Sequence, residues 1–326
     1  MRYLRNTSTN AHYNMAFDQF CLEELPLDEP VFYLWQNAPS VIIGLNQNAY
    51  AEVNLPYLRE HGILLARRVT GGGAVYHDLG NLNYSIVGRS MDLERDYPGY
   101  LTYVINALRS LGVPAELSGR NDILVGGRKV SGYAKRVWKD RLMVHGTLMY
   151  DVDLETLTRA LSVNNDKLEA HGIASVRSRV ANLKEFLPTL PSVDALREAL
   201  EDILSHHHTD SEIVLSTTQL ARINDIARTR FATWEWNVGR SPLATLTRAK
   251  RFGCGTIEVR LTVEKGVVTA ISFGGDFLGN RPADQLADTI VGCRYDRDAL
   301  IGRLTAYVVA DFFDHLTTDE LLDLLV

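Results

Sequence analysis

The chain has 326 residues, and at about 150 residues per domain that length predicts two domains. Hydrophobic residues make up 46% and charged residues 23%, an ordinary globular balance that excludes disordered, fibrous and collagen-like classes. The formal net charge is -6, from 34 Lys+Arg against 40 Asp+Glu, which argues against a protein living on duplex nucleic acid.

Residues 10–24 read as a helix, with Met15, Phe17, Cys21, Leu22 and Leu25 on one apolar face, ended by Pro26 and Pro30. Val31–Trp35 and Ser40–Leu45 are short and apolar around Asn37-Ala38-Pro39, which predicts a hairpin of buried strands. A short helix over 56–61 and a strand over 63–69 follow. Over 81–87, Leu82, Tyr84 and Ile86 alternate, as in a strand with one face buried. An amphipathic helix over 100–111 closes at Gly112 in the C-cap place. Strands are predicted at 123–125 and 141–150 with a glycine-rich connection between them. Helices follow over 192–206, opened by Pro191-Ser192, and over 216–230. The texture then changes to a hairpin, 253–263 and 266–273, joined at Glu264-Lys265. Helices over 282–291 and 297–316 come next, and Thr317 to Glu320 forms a capping box before a last short helix. The expected division is 1–245, a large α+β domain, and 246–326, a small ββαα-type domain.

Three cysteines are too few, and odd in number, for a disulfide framework, so a reducing cytoplasm is expected. The N-terminus has no signal- or transit-peptide pattern, and no stretch approaches the ~20 apolar residues of a membrane helix. P-loop, dinucleotide, zinc-protease, CxxC and nucleophile-elbow motifs are absent.

The outstanding segment is Arg67-Arg68-Val69-Thr70-Gly71-Gly72-Gly73-Ala74-Val75-Tyr76-His77-Asp78. Adjacent glycines cost roughly 0.5–1 kcal/mol each in backbone entropy, so something needs bare backbone there. Consecutive N–H groups in such a loop can curl around an anion, and the arginines upstream supply charge and bidentate donors. A second segment sets Lys129 among glycines and small residues, Gly126-Gly127-Arg128-Lys129-Val130-Ser131-Gly132. That composition suits a cation facing a ligand, and equally a solvated basic turn. His145-Gly146-Thr147 opens a strand, and Ser175 to Leu183 alternates cations with small residues, as a phosphate clamp or an exposed connection would. His206-His207-His208 has no acidic or thiol companions and reads as solvated.

Taken together these segments resemble the lipoate–protein ligases. The resemblance runs through the glycine loop at 67–78, Gly-Asn-x-Asn at 80–83, Gly-Arg-Asn-Asp at 119–122 and Arg-Lys-Val-Ser-Gly-x-Ala at 128–134. It continues through His-Gly-Thr-Leu at 145–148 and Ser-Val-Arg-Ser-Arg-Val-x-Asn-Leu at 175–183, and extends into the small domain. It implies an α+β fold with a large mixed-sheet lipoate/biotin-ligase-like catalytic domain and a small C-terminal accessory domain. It also implies a two-step reaction. A free lipoate carboxylate, or octanoate in its place, attacks the α-phosphate of ATP to give lipoyl-AMP and pyrophosphate. A carrier lysine then takes the acyl group and releases AMP. The implied carriers are apo lipoyl domains of 2-oxoacid dehydrogenase E2 subunits and the glycine cleavage H protein. No nucleic acid or membrane partner is implied.

By resemblance Lys129 is the catalytic cation, touching both the acyl carboxylate and the α-phosphate. Arg68, Gly71, Gly72, Gly73, Ala74, Val75 and Tyr76 cradle nucleotide and adenylate, with His77 and Asn81 along the same loop. Asp122 positions the amine or Mg²⁺, Ala134 and Val75 line the lipoyl slot, Ser131 belongs to the ATP- and adenylate-binding set, His145 forms a wall of the acyl site, and Arg177, Ser178, Arg179 and Val180 close over the adenylate. Octanoyltransferases share the large-domain fold but use a Cys nucleophile, and here no Cys lies between Cys21 and Cys254. The Gly-Arg-Gly-Arg loop of biotin ligases is missing. A module that binds lipoate or carrier without turnover is the reading from another class, and the retained Lys129 and glycine loop argue against it.

Overall fold

The computed structural model describes residues 1–90, 93–118, 122–161, 178–205 and 212–326. Two compact units divide the chain: residues 1–45 with 52–233, and residues 46–51 with 234–326. The expected loop residues 119–121 and 175–177, and the run 206–208, lie outside the described residues.

The large unit is built on a mixed eight-stranded sheet. Its strands are β1 (Arg2–Leu4), β2 (Val31–Trp35), β6 (Asn81–Arg89), β7 (Glu116–Ser118), β8 (Asp122–Val125), β9 (Arg128–Trp138), β10 (Arg141–Met149) and β11 (Glu212–Ile213), in the order β11-β1-β2-β6-β10-β9-β8-β7. β1 runs parallel to β2 and β11, and the remaining pairs are antiparallel. A second sheet, β4-β3-β5, comprises β3 (Ser40–Ile43), β4 (Leu64–Arg67) and β5 (Val75–His77).

The expected hairpin of 31–35 with 40–45 does not form. β2 pairs with β1 and β6, whereas β3 pairs with β4 and β5. Both strands are buried on both faces and each needs a sheet of its own, so residues 36–39 carry the chain across with Asn37 turned inward. The glycine-rich connection expected between 125 and 141 is largely strand β9, bounded by tight turns at Gly126-Gly127 and at Lys139-Asp140, with Gly126, Gly127 and Lys139 at positive φ.

β6 decides where the chemistry sits. Leu82, Tyr84 and Ile86 alternate as expected and pack into the main core with Leu101, Val104 and Leu108 of helix Leu93–Ser110 and Leu196 and Leu200 of helix Val193–Ser205. The opposite face, Asn81, Asn83 and Ser85, is buried too rather than solvated. It lies on the side of helix Ala11–Glu23, whose Asp18 reaches Ser85. These short polar side chains on an alternating strand line a site, where Lys or Glu would mark a wet face.

Local signals are met at several ends. The Asn10 side chain accepts the Tyr13 N–H at 3.0 Å, that of Ser192 accepts the Ala195 N–H at 3.1 Å, and Gly112 follows the 93–110 helix at φ +89°.

The small unit is an antiparallel sheet, β12 (Ala244–Phe252), β13 (Gly255–Glu264) and β14 (Val267–Gly275), with helices Ala283–Ile290, Arg297–Leu304 and Thr318–Leu325. Strand β12 is one more than the expected pair. The hairpin turns at Lys265 and Gly266, both at positive φ, one residue later than expected. Ile257, Val259, Leu261 and Val263 alternate inward and are buried, as are Leu286, Leu300 and Phe313. The helix expected to reach 316 stops at Leu304, and the chain after it turns to bury Phe312 and Phe313 together. The Thr317–Glu320 capping box forms as expected.

Candidate active site

One rung of the large sheet makes the floor of a cavity of about 170 Å³. Trp35 pairs with Asn83, Asn83 with Thr147, and the Thr147 hydroxyl accepts the Gly132 N–H at 3.1 Å. All four residues line the cavity. Arg68, Gly73 to Val75 and His77 wall it from the second sheet, Met15 from the first helix, and Lys129 from the start of β9. The structure thus gathers eight of the expected residues on one cavity, Arg68, Gly73, Ala74, Val75, His77, Lys129, Ala134 and His145.

The glycine loop is held by Arg68. Its Nη2 donates to the carbonyls of Gly71 (2.7 Å) and Gly73 (2.8 Å), its Nη1 to that of Ile42 (3.1 Å), and its Nε to Thr70 Oγ1 (3.0 Å). Arg67 is fully buried and donates to the carbonyls of Gly44 and Leu45. Sequence reasoning expected donors held out for a phosphate. Instead most of these N–H groups are spent on the loop itself, because each carbonyl turned inward by the tight loop needs a donor. Burial draws the Arg68 guanidinium down to about 10, so it remains a cation at neutral pH.

Of the three glycines only Gly72 needs its lack of a side chain on conformational grounds, at φ +94°. A Cβ on Gly71 or Gly73 would meet open space. The tighter constraint is Gly44, whose missing Cβ makes room for the Gly72 carbonyl oxygen. Gly44→Ala is therefore expected to displace the loop, lower stability by roughly 1–3 kcal/mol and cut activity at least tenfold. Gly71→Ala should stay within about 0.5 kcal/mol of wild type. Thermal melts of the two variants side by side check the contrast.

Behind the loop runs a buried polar line. His145 Nε2 meets Thr70 Oγ1 at 2.7 Å and its Nδ1 meets Asp18 Oδ2 at 2.7 Å. Asp18 Oδ1 accepts from Tyr33 (2.6 Å) and from Ser85 (2.9 Å), and the Trp35 indole donates to Ser85 Oγ at 3.0 Å. Asp18 is 1% exposed. With Arg68 donating to Thr70, the hydroxyl donates onward to His145 Nε2, which sets Nδ1–H toward Asp18. Asp18, Thr70, Trp35 and Asn83 were missed by sequence reasoning, which filed the first helix under its apolar face. An Asp amid a buried apolar helix was the available signal.

A second line ends at His77. Asn6 Nδ2 donates to Asn14 Oδ1 (3.0 Å), Asn14 Nδ2 to Asn37 Oδ1 (2.8 Å), and Asn37 Nδ2 to His77 Nδ1 (3.0 Å). An amide nitrogen only donates, so Nδ1 is the acceptor and Nε2 carries the ring hydrogen. Burial first, then the charges of Arg68 and His145, hold the imidazole down to about 3. The unfolded chain takes up this proton near pH 6.5, the folded one near 3. Between those values the unfolded state binds more protons, so acidification removes stability by up to about 1.4 kcal/mol per pH unit. Melts at pH 7 and pH 5 should show the drop, and His77→Gln should reduce it.

Lys129 Nζ lies 2.7 Å from Asp122 Oδ1, both side chains about one-third exposed. Its main chain is braced where Ala181 N–H donates to the Lys129 carbonyl at 2.9 Å and Val180 forms a bridge beside it. Ser178 and Arg179 are exposed at the start of that segment, and Arg177 lies outside the described residues. Gly71 and Gly72 sit on the loop beside the cavity without lining it. Tyr76 falls between Val75 and His77 on β5 and takes the strand's other face, Asn81 donates to Asn83 Oδ1 on the same face of β6 without lining the cavity, and Ser131 is fully buried. Among the described residues no group of three or more His, Cys, Asp or Glu gathers as a metal site. Burial pushes the Cys21 thiol up, and Cys21 does not line the cavity.

The family described as "Lipoyl protein ligase A/B catalytic domain" matches residues 10–205, and "Bacterial lipoate protein ligase C-terminus" matches residues 241–325. The chain is 38% identical over 330 residues to "Lipoate-protein ligase LplJ" of Bacillus subtilis (strain 168), covering 100% of each. It is similar to a bi-partite lipoate protein ligase studied with its E2 lipoyl domain from Thermoplasma acidophilum, at TM-score 0.67 and 33% identity, covering 73% of this chain and 96% of that one. It is also similar to a lipoate-protein ligase A bound with ATP, at TM-score 0.64 and 32% identity, covering 73% and 98%.

Proposed function

The chain belongs to the lipoate–protein ligase family, and from that premise we propose that it joins free lipoate to a carrier lysine at the expense of ATP. The observation that carries this reading is the convergence of Lys129, Arg68 and the glycine loop on one cavity with an apolar interior.

In the first step a lipoate carboxylate oxygen attacks the α-phosphorus, a P–O bond to pyrophosphate breaks, and lipoyl-AMP remains. Negative charge builds on the α-phosphate, and the Lys129 ammonium is the mobile cation placed to meet it. Asp122 holds that ammonium at 2.7 Å and would release it to the incoming anion. In the second step a carrier amine attacks the mixed-anhydride carbonyl, AMP leaves, and the amine proton passes to solvent or to a nearby base. Arg68 and the Gly71–Val75 backbone keep the loop in one shape through both steps.

Mg²⁺ typically binds through one or two carboxylates with substrate phosphates completing its sphere. Asp122 beside Lys129 fits that pattern, and the ion would neutralise phosphate charge when bound. The carriers that fit the reading are lipoyl domains of 2-oxoacid dehydrogenase E2 subunits and the H protein of glycine cleavage, with a relative studied alongside an E2 lipoyl domain. A cytoplasmic location suits three free, buried cysteines. No helix among the described residues is long and apolar enough to cross a membrane. Transfer between carriers without ATP would need a thiol at the acyl site, and no Cys lines the cavity.

The test is mass spectrometry of an apo lipoyl domain and an apo H protein, each incubated with the protein, ATP, Mg²⁺ and lipoate. A gain of one lipoyl group that depends on ATP is the expected result. No gain on either carrier, or gain without ATP from an acylated carrier, would overturn the reading.

A further inference from the structure

The His77 Nε2–H stands out among the cavity's polar groups. Of the cavity-lining groups around it, both ring nitrogens of His145, the Trp35 indole, Asn83 Nδ2 and the Thr147 hydroxyl each have a protein partner; the Ser40 hydroxyl, on the residue opposite His77 in β3, is also unpaired but does not line the cavity. His77 is 3% exposed, its Nε2 is sealed from solvent, and it has no acceptor among the described residues. The Asn37 amide removes the escape of turning the donor to Nδ1. A buried donor left unmade costs about 1–3 kcal/mol, and here four linked side chains, Asn6, Asn14, Asn37 and His77, maintain it.

Its position suggests what it meets. The His77 ring packs edge-on to Trp35, with centroids 6.1 Å apart, at the β2 side of the floor. Lys129 is on β9, at the other side, and sheet order places β9 three strands from β2, about 14 Å. An eight-carbon acid whose carboxylate is held at Lys129 therefore directs its far end toward Trp35 and His77. Met15, Trp35 and Ile42 are among the apolar residues that line the cavity, and Arg68 and His145 face it as well. A soft, weak acceptor such as a ring sulfur suits a lone N–H beside the Trp35 ring, whereas a hydrocarbon end leaves it unsatisfied.

Resting on the ligase reading above, we infer that the His77 Nε2–H donates to a sulfur of the dithiolane and so selects lipoate over sulfur-free acyl chains of the same length. His77 is a specificity-determining residue in this assignment, and Asn37 is the residue that positions its hydrogen. Neither bond-making step passes through it.

The experiment measures kcat/KM in ATP–pyrophosphate exchange for lipoate, octanoate and 5-cyclopentylpentanoate, the last having the shape of lipoate with carbon for sulfur. Wild type is expected to favour lipoate over the cyclopentyl acid by about tenfold, corresponding to about 1.4 kcal/mol. His77→Leu should bring that ratio close to one by losing activity on lipoate and keeping or gaining it on the two sulfur-free acids. His77→Gln, which retains an N–H, should recover part of the preference. A wild type indifferent to the sulfurs overturns the assignment without any mutant. So does His77→Leu losing activity on all three acids by one factor, which would place the donor on the carboxylate they share. Absence of exchange with every acid in wild type would instead sink the ligase reading, so the two failures are distinct.

Discussion

Replacing Lys129 with alanine is expected to reduce lipoate-dependent ATP–pyrophosphate exchange by about 10³-fold while leaving the fold intact. The magnitude follows from removing one preorganised group at the point where charge develops, which typically costs 10²–10³ in rate. The separation of activity from stability follows from exposure. The Lys129–Asp122 pair is about one-third exposed on each side, and such pairs contribute at most about 1 kcal/mol. The melting temperature should therefore barely move. Lys129→Arg is not expected to rescue, because a planar guanidinium cannot reproduce a compact, freely turning ammonium at two successive anions. Exchange near wild-type level in the alanine variant would remove Lys129 from the chemistry. Asp122→Asn is a useful companion, since freeing the ammonium of its partner should leave exchange active while changing the KM for ATP.

The second large effect is expected at Asp18, a residue that does not line the cavity. Asp18→Ala leaves the Tyr33 hydroxyl, the Ser85 hydroxyl and the His145 Nδ1–H without their common acceptor. Each buried orphan costs about 1–3 kcal/mol, and since the three share one site the sum falls short of additive, about 3–5 kcal/mol. For a unit of this size that corresponds to a fall in Tm of roughly 8–15 °C. Activity should fall as well, because the line Asp18–His145–Thr70–Arg68 ends on the carbonyls that shape the glycine loop. Asp18→Asn is the finer probe. Its amide accepts from Tyr33 and Ser85 but turns N–H groups toward His145, which must then move its hydrogen to Nε2 and reverse the bond to Thr70. Differential scanning calorimetry with an exchange assay reads both consequences, and an alanine variant that melts with wild type would show that the buried line carries no stability.

Much of the site was legible because its parts are local in sequence. Gly71-Gly72-Gly73, Lys129 among glycines and His145 at a strand end each announce themselves within a few residues. Helix ends were legible for the same reason: Asn10, Ser192, Gly112 and the Thr317–Glu320 box act on their own neighbours. What failed in the large unit was the inference about which strand lies beside which, whereas the hairpin of the small unit formed with its turn one residue late. Val31–Trp35 and Ser40–Ile43 are close in the chain and sit in different sheets. Residues 128–138, with four cations and following the Gly126-Gly127 pair, became a strand because β8 and β10 supply partners on either side.

The sequence by itself determined the family of chemistry: an anion-cradling loop, one lysine suited to a phosphate, no thiol between positions 21 and 254, and two units' worth of chain. The tertiary structure alone decided how those parts are held. Asp18 meets His145 across 127 positions, Asn37 meets His77 across 40, and residues 46–51 join the unit otherwise formed by 234–326. A periodic pattern tells which face of an element is buried but not what covers it. The polar face of β6 was visible as Asn81, Asn83 and Ser85, yet only the helix laid against it makes that face a site. The same holds for Arg68, whose charge reads from sequence as a hand extended to phosphate and in three dimensions is closed on the loop it shapes.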